Sequence, residues 1–204
     1  MQLFYIRLVY YIIMTEHIDA EKQLVNGILA GNKDAYELFI ERYTGLVGHI
    51  VFRMVDNPAD REDLCQDIFI KSIVNLKDFR FRSQLSTWLG RIAYNCCINY
   101  MKKLKLPLLD DMNSEYGAVE HSAGNPAPDQ IAEFNEAARQ VERSIMRLPG
   151  LYRTIVTLYH VDEMSYKQIA EIMQMPVGTV KSCLFRARKR LKSLLTGNKQ
   201  FQEI

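Results

Sequence analysis

The chain has 204 residues, 48% hydrophobic and 25% charged, with a net charge of +2. These are the fractions of an ordinary soluble globular protein, long enough for two small domains or one larger one. Its four cysteines (Cys65, Cys96, Cys97 and Cys183) have no metal-ligand spacing and form no Cys-x-x-Cys, which excludes a disulfide framework or a cysteine-held metal and fits a reducing compartment.

The first 13 residues, MQLFYIRLVYYII, are apolar with one arginine. They fall short of the ~20 residues of a membrane-spanning helix and have neither a basic start nor a small-residue cleavage site. Stable membrane insertion is therefore not expected. Residues 1–19 read as an N-terminal extension, with Met14 the expected true start.

From there the chain reads as helices. Residues 20–31 are amphipathic and end at Gly31-Asn32, a helix-stop signal. Apolar residues then recur at helical spacing from Tyr36 through Phe39, Tyr43, Val47 and Ile50 to Met54, until Asp56-Asn57-Pro58. A third helix is predicted from about Asp60 to Leu76. Its apolar side is Cys65, Ile68, Phe69, Ile73 and Leu76, with Asp60, Asp63, Asp67 and Lys71 opposite. After a break at 77–83, a fourth helix runs from about Gln84 to Lys105, and Pro107 ends it.

Charge is segregated along the chain. Phe79 to Leu109 carries Arg80, Arg82, Arg91, Lys102, Lys103 and Lys105 and no acid; Asp110 to Glu136 carries acids and no Lys or Arg; Ile172 to Gln202 is again basic without an acid. Either basic block can meet a phosphate backbone, whereas the acidic connector would be repelled by one. Residues 107–128, rich in Pro and Gly, read as a flexible linker. A second helical unit, 129–197, follows. It holds a stripe from Ile131 to Leu148, then helices at Leu151–His160, Ser165–Met173 and Pro176–Leu195. The fold class is thus all-α: two small helical domains, 20–106 and 129–197, on an acidic tether.

Helix, short turn and basic helix make a helix-turn-helix pattern. On the last helix Val180, Leu184, Ala187, Leu191, Leu194 and Leu195 share the core arc, and Lys181, Ser182, Phe185, Arg186, Lys189 and Lys192 lie on the far side. A phenylalanine amid cations gains nothing from its own core. It fits a face buried in a major groove; the alternative is a solvated helix with one exposed ring. In the first unit Gln84, Trp88, Arg91, Asn95 and Lys102 fall on nearly one line, beside a loop in which Arg80 and Arg82 alternate with Phe79 and Phe81. Cations and rings so arranged suit a strand with exposed bases. Burial in the core is an equal reading for Trp88, and a solvated face is the plain alternative for Arg91, Lys102 and Lys103.

Three stretches, DREDLCQDIFIKSIVNLKDF, FRSQLSTWLGRIAYNCCINYMKK and LPGLYRTIVTLYHVDEMSYKQIAEIMQMPVGTVKSCLFRARKRL, in this order and split by a variable acidic linker, resemble the extracytoplasmic-function (ECF) group of bacterial sigma factors. The resemblance implies that Asp63, Gln66 and Asp67 dock on core RNA polymerase. It implies that Arg80, Arg82, Ser83, Trp88, Arg91, Asn95, Lys102 and Lys103 capture and hold an opened −10 strand. It also implies that Thr179, Lys181, Ser182, Phe185, Arg186, Lys189 and Arg190 read the −35 duplex. Two departures stand out. Phe81-Arg82 replaces the family's usual glycine and acid, and Cys183 stands where arginine is common. The expected partners are core polymerase, promoter DNA and an anti-sigma factor, which can hold a cytoplasmic chain at the membrane. No phosphate loop, nucleophile motif or metal cluster appears, and the four histidines are scattered; no enzyme activity, cofactor or metal is expected. The rival is a stand-alone helix-turn-helix regulator, which needs a dimer surface or ligand domain that residues 1–130 do not show.

Overall fold

The computed structural model describes residues 19–104 and 132–196, with side chains of the second segment from 136 onward. The N-terminal extension with Met14, the linker 107–128 and the first residues of the second unit lie outside the described residues. Within them the chain is helical, with no strand: α1 over 19–29, α2 Lys33–Met54, α3 Pro58–Asn75, a 3-10 turn Leu76–Asp78, α4 Leu85–Lys103, α5 Ala132–Met146, α6 Gly150–His160, α7 Tyr166–Met173 and α8 Val177–Thr196.

Local chemistry sets these ends. Gly31 closes α1 in the left-handed region (φ +79°), donating its N–H to Ile28 O over 2.9 Å. Asn32 then caps α2, its side chain accepting from the N–H groups of Asp34 (2.8 Å) and Ala35 (3.3 Å). Asn57 caps α3 in the same way, with Pro58 in the first turn, where its missing N–H costs nothing. Helix α4 has no side-chain cap of its own. Glu21 of α1, 5% exposed, instead accepts from Leu85 N over 3.4 Å, placing a carboxylate at the positive end of α4. Ser165 and Gln168 form a reciprocal capping box at the start of α7.

Helices α1 to α4 enclose Leu24, Ile28, Phe39, Ile50, Ile68, Leu85 and Leu89, and α5 to α8 enclose Leu151, Ile155, Leu158, Ile169, Val180 and Leu184. Cys96, Cys97 and Cys183 are buried free thiols; burial pushes Cys97 and Cys183 up, away from the reactive thiolate. The sequence offers no sign that the two units share a face, yet they do. Helix α7 lies along α4, with Ile172 against Gly90. Gln168 Nε2 donates to Gln84 Oε1 (2.6 Å) at one end, and Gln174 Nε2 to Asn95 Oδ1 (3.0 Å) at the other.

A polar seam joins α2 to α5 and α6. Arg53 grips both carboxylate oxygens of Glu142 and donates to Thr157 Oγ1 (3.0 Å). His49 Nδ1 meets Asp162 Oδ1 at 2.8 Å, and Arg153 reaches Asp56 at 3.5 Å. Asp162 is costly where it stands: Oδ2 is buried without a hydrogen-bond partner. Burial raises its carboxyl pKa, and His49 only partly opposes this. The folded chain therefore holds this proton more tightly than the unfolded chain. The associated stability is complete below the ordinary carboxylate pKa and is lost as pH rises through the raised folded value. Asp162→Asn keeps an acceptor for His49 and removes the buried charge. It is expected to flatten the pH dependence of the thermal midpoint between about pH 4 and pH 8. Calorimetry from about pH 4 to pH 8 checks this; a lower midpoint at neutral pH would show the charge to be worth more than its desolvation.

Candidate nucleic-acid interface

The last helix divides as its periodicity predicts as far as Ala187, whereas Leu191, Leu194 and Leu195 of the expected core arc are only half-buried. Val180, Cys183, Leu184 and Ala187 are buried, while Lys181, Phe185, Arg186, Lys189 and Arg190 are exposed. Cys183 is wholly interior, so no cation is available at that position. Phe185 is 70% exposed, the most open of the large apolar side chains described. Thr179 and Ser182 sit half-buried at the helix start, and Ser182 Oγ donates to Thr179 O (3.0 Å). Lys181 stands over the Tyr166 ring at 5.7 Å. Arg188 folds back over Tyr159 (5.0 Å) and against His160; burial and Arg188 together push the His160 pKa down. Among the described residues, Lys181, Arg186, Lys189 and Arg190 have no acid within ion-pair distance. The result is a cationic face with a bare ring in it.

In the first unit the predicted stripe separates into layers. Arg80, Arg82, Asn95, Lys102 and Lys103 are exposed, and Ser83 and Arg91 half-buried. Trp88 is not on that surface. It is 9% exposed, and Phe79, itself 6% exposed, packs on it with ring centroids 5.2 Å apart. Of the two equal readings for Trp88 the structure takes burial, and it corrects the expectation that Phe79 presents an open ring: Trp88 sits in the first turn of α4, and the returning loop lays Phe79 over it. The open ring is Phe81, 39% exposed and packed on Phe79 at 4.7 Å. Its backbone is left-handed (φ +54°), which costs a bulky residue roughly 1–2 kcal/mol. Asn95 is exposed but engaged by Gln174. The periodicity that placed Asn95 on a stripe gives no sign of that partner, 79 positions away.

On α3, Asp63, Gln66 and Asp67 are exposed on one face, and Asp63 and Asp67 are without ion-pair partners among the described residues. Asp60 differs from them: Tyr100 Oη donates to it at 2.6 Å, and desolvation together with Asp60 pushes the phenol up to about 12. The acidic face continues into Ile70 and Val74, 61% and 62% exposed. Sequence reasoning passed over both. The available signal was their spacing of three and four residues from Asp67 and Ile70, which puts apolar side chains on the polar side of the helix.

A helix-turn-helix whose cationic face has no acid partner among the described residues, joined to a second helical unit with a basic aromatic loop, defines a nucleic-acid-binding protein. Two family patterns match it: sigma-70 region 2 over residues 39–106 and sigma-70 region 4 over residues 138–191. The chain is 31% identical over 179 residues to the ECF RNA polymerase sigma factor SigW of Bacillus subtilis, covering 85% of this chain and 96% of that protein. It is 35% identical over 185 residues to the ECF RNA polymerase sigma-E factor of Escherichia coli K12, covering 87% and 95%. The solved structure of sigma factor RpoE in complex with the anti-sigma factor NepR from Bartonella quintana shares the fold at TM-score 0.62 and 23% identity, covering 80% of this chain and 98% of that one. The chain belongs to the ECF group of sigma-70-type RNA polymerase sigma factors, and its function is sigma-directed initiation of transcription. No described helix is long and apolar enough to cross a membrane.

Proposed function

We propose that this sigma factor divides initiation among three surfaces. Asp63, Gln66 and Asp67 dock on core RNA polymerase. Thr179, Lys181, Ser182, Phe185, Arg186, Lys189 and Arg190 read the −35 duplex. Arg80, Arg82, Ser83, Arg91, Asn95, Lys102 and Lys103 hold the opened −10 strand, with Trp88 supporting them from beneath. The observation that carries this reading is the pairing of bare cations with an exposed ring at two separate places, around Phe185 and around Phe81, while α3 presents Asp63 and Asp67 with no ion-pair partner among the described residues. Two weak DNA contacts on one chain gain from effective concentration once the polymerase fixes their spacing. The protein acts by binding and performs no catalysis of its own. The relative RpoE assembles with an anti-sigma factor, and the same kind of partner is proposed to hold this chain inactive in the cytoplasm.

The test is run-off transcription on pooled genomic fragments with core polymerase from the same source, with and without the protein. New discrete transcripts that require the protein are expected. Their absence, together with tight binding of the lone chain to a duplex, would leave a stand-alone regulator. Reversing charge with Asp63→Lys plus Asp67→Lys should remove co-elution with core polymerase while leaving the circular dichroism unchanged, because both side chains are exposed and unpaired. Undiminished co-elution would place the docking surface elsewhere.

A further inference from the structure

We propose that Phe81 is the platform on which an unpaired base of the opened strand stacks, with Arg80 and Arg82 meeting the flanking phosphates. The assignment rests on the sigma-factor reading above and names a contact within its −10 surface. Four observations carry it. The backbone at Phe81 is left-handed, a conformation that glycine takes freely and a bulky side chain takes against steric resistance. The ring does not recover that cost by burial, since it remains 39% exposed while Phe79 and Trp88 are 6% and 9% exposed. Strain held at a residue that does not serve the core points to function. The three rings pack in tilted contact, Trp88 innermost, Phe79 5.2 Å from it at 48° and Phe81 4.7 Å from Phe79 at 55°, so that Phe81 is the outermost ring and the one a base can reach. Finally, Arg80 and Arg82 are exposed on either side with no acid paired to them among the described residues. A strand held here has its phosphates met by cations and its base met by a ring, the pairing that single-strand binding uses. The other exposed apolar residues suit this role less well: Ile70 and Val74 are aliphatic and sit beside acids, which repel phosphate, and Phe185 belongs to the duplex-reading face.

The experiment uses holoenzyme assembled from core polymerase and the full chain. The probe is a non-template-strand oligonucleotide from a promoter found by run-off, carrying 2-aminopurine at successive −10 positions. Phe81→Gly fits the left-handed backbone, and Phe81→Asn tolerates it without a ring. Both variants are expected to keep the thermal midpoint within about 4 °C of the parent. Both should lose affinity for the strand by roughly 5- to 150-fold, the range of one lost base–aromatic stack, and lose the fluorescence quench at one position. Phe81→Trp should retain both. If Phe81→Gly and Phe81→Asn bind within about twofold of the parent with the same quench, well outside the range of a lost stack, the Phe81 assignment is overturned while promoter-dependent transcription stands. Absence of protein-dependent transcripts from the parent holoenzyme would overturn the sigma-factor reading, and this assignment with it.

Discussion

Gly90→Leu is expected to open the α4–α7 face between the two helical units while leaving each unit folded. Gly90 is buried on α4, and a Cβ built there lies 2.8 Å from Ile172 Cδ1 and 3.1 Å from its Cγ1, but 3.6 Å from Ile50 Cδ1 in its own unit. The conflict is therefore across the interface. Alanine should be nearly neutral: one methyl displaces the end of a flexible side chain, and the helix gains up to ~1 kcal/mol from losing a glycine. Leucine adds three more carbons at a point where Ile172 is wholly buried. Overpacking of that kind costs about 1–3 kcal/mol, occasionally more. Against it the flanking Gln84–Gln168 and Asn95–Gln174 pairs hold this face with about 1 kcal/mol each, so the steric term rivals or exceeds them there, while the seam of Arg53, His49 and Arg153 between α2 and the second unit is untouched. Solution scattering should show a larger radius of gyration for Gly90→Leu and none for Gly90→Ala, with unchanged helix content. Opening this face also frees Asn95 from Gln174, so the lone variant should bind single-stranded DNA better than the parent. A lowered thermal midpoint with an unchanged radius would mean the leucine is absorbed inside the first unit.

The stops at Gly31 and before Pro58 were readable because they carry their own short-range chemistry, whereas Asn32 and Asn57 as caps and Pro58 inside the first turn of α3, equally local signals, were read only as the ends of the preceding helices. The two faces of α8 were readable for the same kind of reason, since a single helix fixes which side Leu184 and Phe185 take. What periodicity cannot supply is the covering partner. Asn95 on a polar stripe suits a nucleic-acid contact and an amide pair with Gln174 equally well. His49 and Asp162 lie 113 positions apart, with no local pattern to join them. Trp88 had two equal readings because the tilt of the returning loop, which lays Phe79 across it, depends on tertiary packing. The left-handed backbone of Phe81 was hidden too, because nothing in FRFRS specifies φ; only the departure from the family's glycine marked the position.

Arg186→Ala is expected to separate base reading from phosphate holding on α8. The side chain is exposed, with no acid paired to it among the described residues, so truncation should change folding stability by no more than about 0.5 kcal/mol. Any loss is then a loss of binding. If the guanidinium meets a base edge, discrimination between the cognate −35 element and a scrambled one should fall by roughly 1–3 kcal/mol. Lys189→Ala supplies the contrast. An ammonium on the same face is a compact point charge suited to phosphate, so its removal should weaken cognate and scrambled DNA alike and reduce the salt slope by about one. Competition binding of holoenzyme to the two duplexes across a salt series measures both quantities at once. Equal losses on the two duplexes for Arg186→Ala would make Arg186 a phosphate contact and shift sequence reading to its neighbour Phe185 and to Lys181, five residues nearer the helix start.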